Sequence, residues 1–287
     1  MLEHIVNGLV LGGSYALVAM GLTIQYGIAR IMNLSFGDTI IAACFATFVL
    51  FSGYTLSPLL ALLILAPAGY GVSLLIYRVI MKPLVDRSPD DGALEVDSIL
   101  VTFGLLFVIQ GILLVLFGGG YVSYSYLNTP VNVLGTVVAG NRLVALILTL
   151  AIGATMIALL YRTRWGMTLR AVALAPQSAP LYGIDVDRAA RTAFAIGGAM
   201  AATGGVVVSM FQTFTATAGV VFTMKALIVV ILGGKGSVVG AIVAGLLLGL
   251  VETFVAAYVD PGLTLAAVYS VFLLLLLVRP NGIFGGA

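Results

Sequence analysis

An all-α, polytopic membrane bundle of about eight spans, at least one of them broken or re-entrant, is the fold class this sequence predicts. Three observations predict it. Of its 287 residues 61% are hydrophobic and only 8% are charged, where a soluble domain is about a quarter charged. The mean hydropathy is +1.19. The apolar residues come in runs near the ~20 residues that a helix needs to cross a bilayer, not in the alternating pattern of an outer-membrane barrel. The whole chain, 1–287, reads as one transmembrane domain with a polar loop at about 162–191.

Eight hydrophobic segments follow in order: Ile5–Ala29, Thr39–Phe51, Leu59–Tyr77, Ile99–Phe117, Leu143–Tyr161, Thr192–Phe214, Lys225–Tyr258 and Leu263–Val278. The first lacks a basic leader and a cleavage site, so it reads as a retained span. The second is short for a full crossing. The seventh would extend about 51 Å as one helix against a ~30 Å hydrocarbon core, so it has to break, tilt or re-enter. The stretch between the third and fourth segments, 78–99, mixes both charge signs and reads as a solvated connector. The loop 118–141 has no basic residue before Arg142, and its tyrosines suit a membrane interface.

Lysine and arginine placement gives the orientation. Arg78, Lys82 and Arg87 follow the third segment. Arg162, Arg164, Arg170, Arg188 and Arg191 lie in the 162–191 loop. Both groups follow odd-numbered spans and are assigned to the cytoplasm, which puts the N-terminus outside. The side of the C-terminus depends on how the seventh segment is counted and stays open.

Composition also excludes chemistry. His4 is the only histidine and Cys44 the only cysteine. No catalytic His pair deep in the chain, multi-His metal site or internal disulfide can be built from them. The net charge of +2 gives no reason to expect a nucleic acid partner. The stretch LGGKGSVVG at 232–240 is no phosphate loop: Val229 and Gly236 stand where that motif needs Gly and Ser or Thr. Gly233, Gly234, Lys235, Gly236 and Ser237 instead mark either a helix break lining a pathway or a tight turn outside the membrane. Beyond it, Ser237, Ala241, Gly245 and Gly249 form a small-residue stripe for close helix packing, within the chain or between subunits.

Charged and polar residues in apolar segments need a reason. Asn33, Ser35 and Asp38 fall in a polar pause, RIMNLSFGD, that suggests an interrupted helix facing a pathway. Gln25 can add a polar contact to it. Lys225 and Glu252 read as interfacial. In the long loop, Leu169, Val172 and Ala173 share a helical face. Pro176 and Pro180 break or begin turns, Gly183 can end one at positive φ, and Asp185 and Asp187 can start the next helix.

The spacing Gln177-Ser178-Ala179-x-x-x-Gly183 resembles the cytoplasmic EAA-x-x-x-G motif of ABC importer permeases. LRAVALAPQSAPLYGIDVDR is similar to the corresponding loop of the branched-chain (hydrophobic) amino acid permease family. NGLVLGGSYALVAMGLTIQYGIARIMNLSFGD, KALIVVILGGKGSVVGAIVAGLLLGLVE and RPNGIFG resemble three further stretches of the same family, in the same order. The likeness is to the first of two homologous permease subunits. Two departures stand out: Ser35-Phe36 where the family often has Ala-His, and Pro180 where it has a helix former.

The resemblance implies an inner-membrane permease subunit of a binding-protein-dependent ABC importer for leucine, isoleucine, valine or other hydrophobic amino acids. It implies a second homologous permease, two cytoplasmic ATP-binding subunits that use ATP and Mg, and an extracytoplasmic substrate-binding protein. It assigns coupling to the ATPases to Arg170, Ala171, Gln177, Ser178, Ala179, Gly183, Ile184 and Asp185. The chain itself would bind no cofactor and catalyse nothing. Importers of urea and short amides also resemble it. An ion-coupled secondary transporter or channel using Asp38, Lys225 and Glu252 is the reading from a different class.

Overall fold

The computed structural model describes residues 1–88, 90–133, 136–234 and 236–284. Helices dominate: α1 (Leu2–Ala29), α2 (Phe36–Tyr54), α3 (Pro58–Ile76), α4 (Lys82–Arg87), α5 (Asp91–Phe117), α6 (Gly140–Arg162), α7 (Arg164–Leu174), α8 (Val186–Ser209), α9 (Gly219–Gly233), α10 (Val238–Tyr258) and α11 (Thr264–Val278). Eight helical stretches among the described residues are long and apolar enough to cross a membrane. A short antiparallel hairpin, β1 (Pro130–Val133) with β2 (Thr136–Ala139), lies before α6.

The second span is full length after all. It runs from Phe36 to Tyr54, because the polar residues that shorten its apolar pattern, Gly37 and Asp38, form its first turn. The expected connector after the third span is helical too. A π turn, Tyr77–Met81, joins α3 to α4. Pro83 follows it, and the widened turn accommodates a residue that cannot donate an amide proton. Lys82 then bridges Asp86 at 3.0 Å and Asp187 at 3.2 Å, tying this corner to the start of α8.

α1 is the centre of the bundle, surrounded by α10, α8, α6 and α9. The stripe on α10 serves this packing, within the chain. Gly245 and Gly249 abut the backbone of Ala16 and Gly12. Small residues permit such an approach, and dispersion over the close contact stabilises it. A side chain at Gly12 would meet backbone atoms of Gly245 and Leu246 within 3 Å. Gly12→Leu is therefore expected to exceed the ~1–3 kcal/mol of ordinary overpacking. The fraction of protein eluting as a single species from a sizing column in detergent should fall several-fold, and an unchanged profile would contradict this packing.

The seventh apolar segment does divide, at 234–237. The division is a hairpin turn between two antiparallel helices, with Gly233 packed on Gly240. It lies at the end of the bundle where α6 meets α7, called here the loop end, because Gly236 sits against Gly27 near the end of α1. The geometry of the break is that of a tight turn, with the Ser237 N–H donating to the Gly234 carbonyl at 3.0 Å. Two other stretches supply the irregular backbone inside the bundle. Residues 30–35 leave α1 through Arg30 at φ 55. Met32 and Leu34 then donate their N–H groups to Ser98 Oγ (3.1 Å) and Thr102 Oγ1 (3.0 Å) of α5. Thr102 is about 16 Å along that helix, so α2 begins deep in the bundle. Residues 210–218 are the second stretch. They descend from the far end, where Phe214 pairs with Val122, to the start of α9.

α11 returns to the loop end, where Ile283 and Phe284 donate N–H groups to the carbonyls of Leu232 (2.7 Å) and Gly233 (3.2 Å). These are among the carbonyls that the end of α9 leaves without helical partners.

Candidate functional site

Three groups of residues, two at the loop end and one deeper in the bundle, carry the features that could act. The first is the segment after α6. Thr163 caps α7 by accepting the Gly166 N–H. Leu169 and Val172 are buried beneath α7 as their shared face predicts, and Ala173 is half-buried. After Leu174 the chain turns through Gln177 and Ser178, both exposed, into a 3-10 turn, Ala179–Tyr182, with Pro180 at its start. Ala179 is buried and pins the turn. Gly183 ends it at φ 72, and Asp185 caps α8 by accepting the Arg188 N–H.

The result is an exposed ledge on a fixed base. Leu174, Leu181 and Tyr182 are 86%, 85% and 83% exposed. Burying three such side chains would remove them from water at about 1.5–3 kcal/mol each for the aliphatic ones. Ala171 and Ile184 are half-buried at its root, while Asp185 is exposed. Arg170 does not join the ledge. It turns inward, its guanidinium 4.6 Å above the Tyr161 ring. Pro180 stands in the first turn of this 3-10 element, where its missing N–H would have no helical partner in any case.

The second group is the polar pause. Gln25 donates to the Phe194 carbonyl at 2.9 Å and accepts from Asn33. Asn33 in turn accepts from the Ser35 hydroxyl at 2.8 Å and from its backbone N–H. Asn33 and Ser35 are thus buried and mutually satisfied. Asp38 is fully buried, packs on Gly219 at the start of α9, and has no hydrogen-bond partner for either carboxylate oxygen. It lies in the first turn of α2 as well, and helix N-termini favour an anion.

The third group surrounds the 234–237 turn. Gly233 is packed against α10, Gly234 takes φ 100, and Gly236 is exposed at φ 82. Ser237 caps α10 by accepting the Gly240 N–H at 3.1 Å. Lys235 lies outside the described residues. Gly236 and Ser237 line a cavity of about 80 Å³ with Thr23, Gly27, Leu169 and Arg170. An adjoining cavity of about 340 Å³ is lined by Arg30, Glu95, Ala173 and Gly236. Glu95 accepts the Tyr26 hydroxyl at 3.0 Å.

Lys225 and Glu252, each read singly from the sequence as interfacial, are partners inside the bundle. Lys225 of α9 meets Glu252 of α10 at 2.7 Å, with their side chains only 12% and 15% exposed. The Tyr15 hydroxyl of α1 donates to Glu252 at 2.9 Å, and its oxygen lies 2.6 Å from the lysine nitrogen. Three helices share one ion pair. Its partners come from distant parts of the chain, so spacing gave no sign of it. The lining role of Thr23 and Gly27 was also missed, because neither departs from an apolar helix pattern.

Comparison with known proteins agrees over nearly the whole chain. The sequence profile described as "Branched-chain amino acid transport system / permease component" matches residues 4–279. The high-affinity branched-chain amino acid transport system permease protein LivH of Escherichia coli (strain K12) is 28% identical over 99% of this chain and 95% of its own length. The corresponding protein BraD of Pseudomonas aeruginosa is 27% identical, with the same coverage. A probable branched-chain amino acid transport permease protein of Methanocaldococcus jannaschii is 25% identical over 94% of this chain and 88% of its own. No solved structure matches.

Proposed function

Because this multi-pass membrane chain belongs to the family of branched-chain amino acid transport permease components, we propose that it forms half of the translocation path of an ABC importer for leucine, isoleucine and valine. In this reading a second, homologous permease supplies the other half. Two cytoplasmic subunits hydrolyse ATP with Mg, and a binding protein outside the membrane delivers the amino acid. The membrane is the bacterial cytoplasmic membrane, and the loop end faces the cytoplasm.

The exposed ledge carries the proposal. Gln177, Ser178, Leu181, Tyr182 and Gly183 project from a base held by Leu169 and Val172 under α7 and by the Asp185 cap of α8. Arginines flank it at 162, 164, 188 and 191. Such a ledge transmits force because its base cannot yield independently of α6 and α8. Ala171, Ala179, Ile184 and Asp185 form its root, and Arg170 links it to the bundle. ATP binding shifts the importer only if ATP interacts differently with its two states, which the ledge permits by moving with the ATPases. Asn33, Ser35, Asp38 and the 233–237 turn remain the proposed pathway elements. Asp38 packs against Gly219 at the start of α9 and Gly236 sits against Gly27 of α1, contacts between separate helices that support this reading.

Expression with its chromosomal neighbours tests this. The chain should copurify with an ATP-binding subunit, and reconstituted vesicles should take up leucine only with ATP and the binding protein. ATP-independent uptake driven by an ion gradient would replace this reading with a secondary transporter. A binding protein that takes urea or short amides and rejects leucine would move the substrate class.

A further inference from the structure

We propose that the cavity enclosed by the end of α1, α6, α7 and the first turn of α10 is a carboxylate subsite that holds the α-carboxylate of an amino acid near the loop end. The inference rests on the reading above that the chain conducts amino acids.

The cavity measures about 80 Å³. Thr23, 1% exposed, lines it with a hydroxyl that has no hydrogen-bond partner. Helical threonines ordinarily return the hydroxyl to a carbonyl one turn back. Thr47, Thr102, Thr155 and Thr192 do so in this chain. Thr23 does not, and a buried hydroxyl left unpaired costs about 1–3 kcal/mol.

A second donor faces the same space. Arg170 lines the cavity, its Nε is buried without a partner, and its guanidinium is held against the Tyr161 ring. The third contribution is the N-terminus of the 21-residue helix α10, whose Ser237 and Val238 are also in the lining. A helix start carries roughly half a positive charge and favours anions. The cavity therefore offers a hydroxyl, a guanidinium N–H and a positive helix end, with no acid among the described residues that line it. A planar anion with two acceptor oxygens completes it.

The surroundings fit the rest of an apolar amino acid. The adjoining cavity brings Glu95 for an ammonium group. Further along the same three helices α1, α6 and α10 lies a groove of about 190 Å³, lined by Gly13, Met20, Gly153 and Leu246 among others. A dry cavity of about 150 Å³ accepts benzene, so a branched aliphatic side chain fits there. Thr149 is the hydroxyl-bearing residue among the described ones lining that groove, and its hydroxyl is also without a partner. An acyl chain would leave both threonines unpaired, whereas a solute passing with its polar groups would not.

The test uses inside-out membrane vesicles carrying the full importer with Thr23→Cys in a Cys44→Ala background. The cysteine is labelled with an anionic methanethiosulfonate. Leucine is expected to slow labelling about tenfold, the scale set by one hydrogen bond to a charged group. Leucinamide, which lacks the carboxylate, and inorganic phosphate should leave the rate unchanged. Equal protection by leucinamide, or none by leucine, overturns the subsite. Protection by phosphate in place of leucine reassigns it to a lipid headgroup or free phosphate and also overturns it. Ala173→Cys, at the rim of both cavities, repeats the measurement if Thr23→Cys does not assemble. Leucine uptake by the unaltered importer is measured in parallel. Uptake without protection sinks the subsite alone, while absence of any amino acid uptake sinks the transport reading.

Discussion

Gly183→Pro is expected to abolish ATP-driven uptake while the binding protein still captures its amino acid normally. Gly183 ends the 3-10 turn of the ledge at φ 72, a region that proline, locked near −65°, cannot enter. Its N–H also bonds to the Pro180 carbonyl at 3.0 Å, and proline has no N–H to give. The turn would have to open, which displaces Leu181 and Tyr182 from any ATPase groove they occupy. The bundle itself should survive. Leu169 and Val172 hold α7 independently, and Asp185 caps α8 beyond the change. Gly183→Asn serves as control, because asparagine enters the left-handed region at small cost, and it should retain most uptake. Uptake of leucine into vesicles and ligand binding to the isolated binding protein are the two measurements. Normal uptake by the proline variant would remove the ledge from the coupling path.

The second large effect is expected at the ion pair. Lys225→Met leaves Glu252 charged and nearly buried, and breaking such a pair costs about 3–5 kcal/mol. The variant should unfold at much lower temperature in detergent or fail to accumulate. The double variant Lys225→Met, Glu252→Met should recover most of that loss, since replacing both partners by apolar residues is often neutral. Thermal unfolding of the singles and the double separates the outcomes. If the double variant is stable and still imports leucine, the pair is structural. If it is stable and inactive, the pair belongs to the transport cycle, and ion coupling returns as a reading.

Much of the fold was legible because membrane spans obey length and polarity alone. The ends of the ledge were legible for a different reason. Pro180, Gly183 and Asp185 act through their own backbone preferences, which need no tertiary partner. The small-residue stripe of α10 announced a close helix contact, but the polar contacts between distant helices escaped. Lys225 and Glu252 each looked interfacial, because a single charge in an apolar run gives no hint of an opposite charge on another helix. The start of α2 was placed too late, because Ser98 and Thr102 of α5, which secure residues 30–35, are polar by only a hydroxyl each. Thr23 was invisible for the same reason. The glycines at 233–236 announced a break, but their contact with Gly27 decided where in the bundle it falls.

The central position of α1 has a consequence for how the chain is made. α1 leaves the ribosome well before α10, yet its Tyr15 meets Glu252, 237 residues later in the chain. At about 5–20 residues per second, α1 waits roughly 10–50 s for that neighbour. During that time Gly8, Gly12 and Ala16 have no α10 to pack against, and the Tyr15 hydroxyl has no acid to meet. Native assembly of the bundle is therefore a late, largely post-insertional event. Until then the first helix needs either lipid tolerance or an insertion chaperone to keep it from false partners.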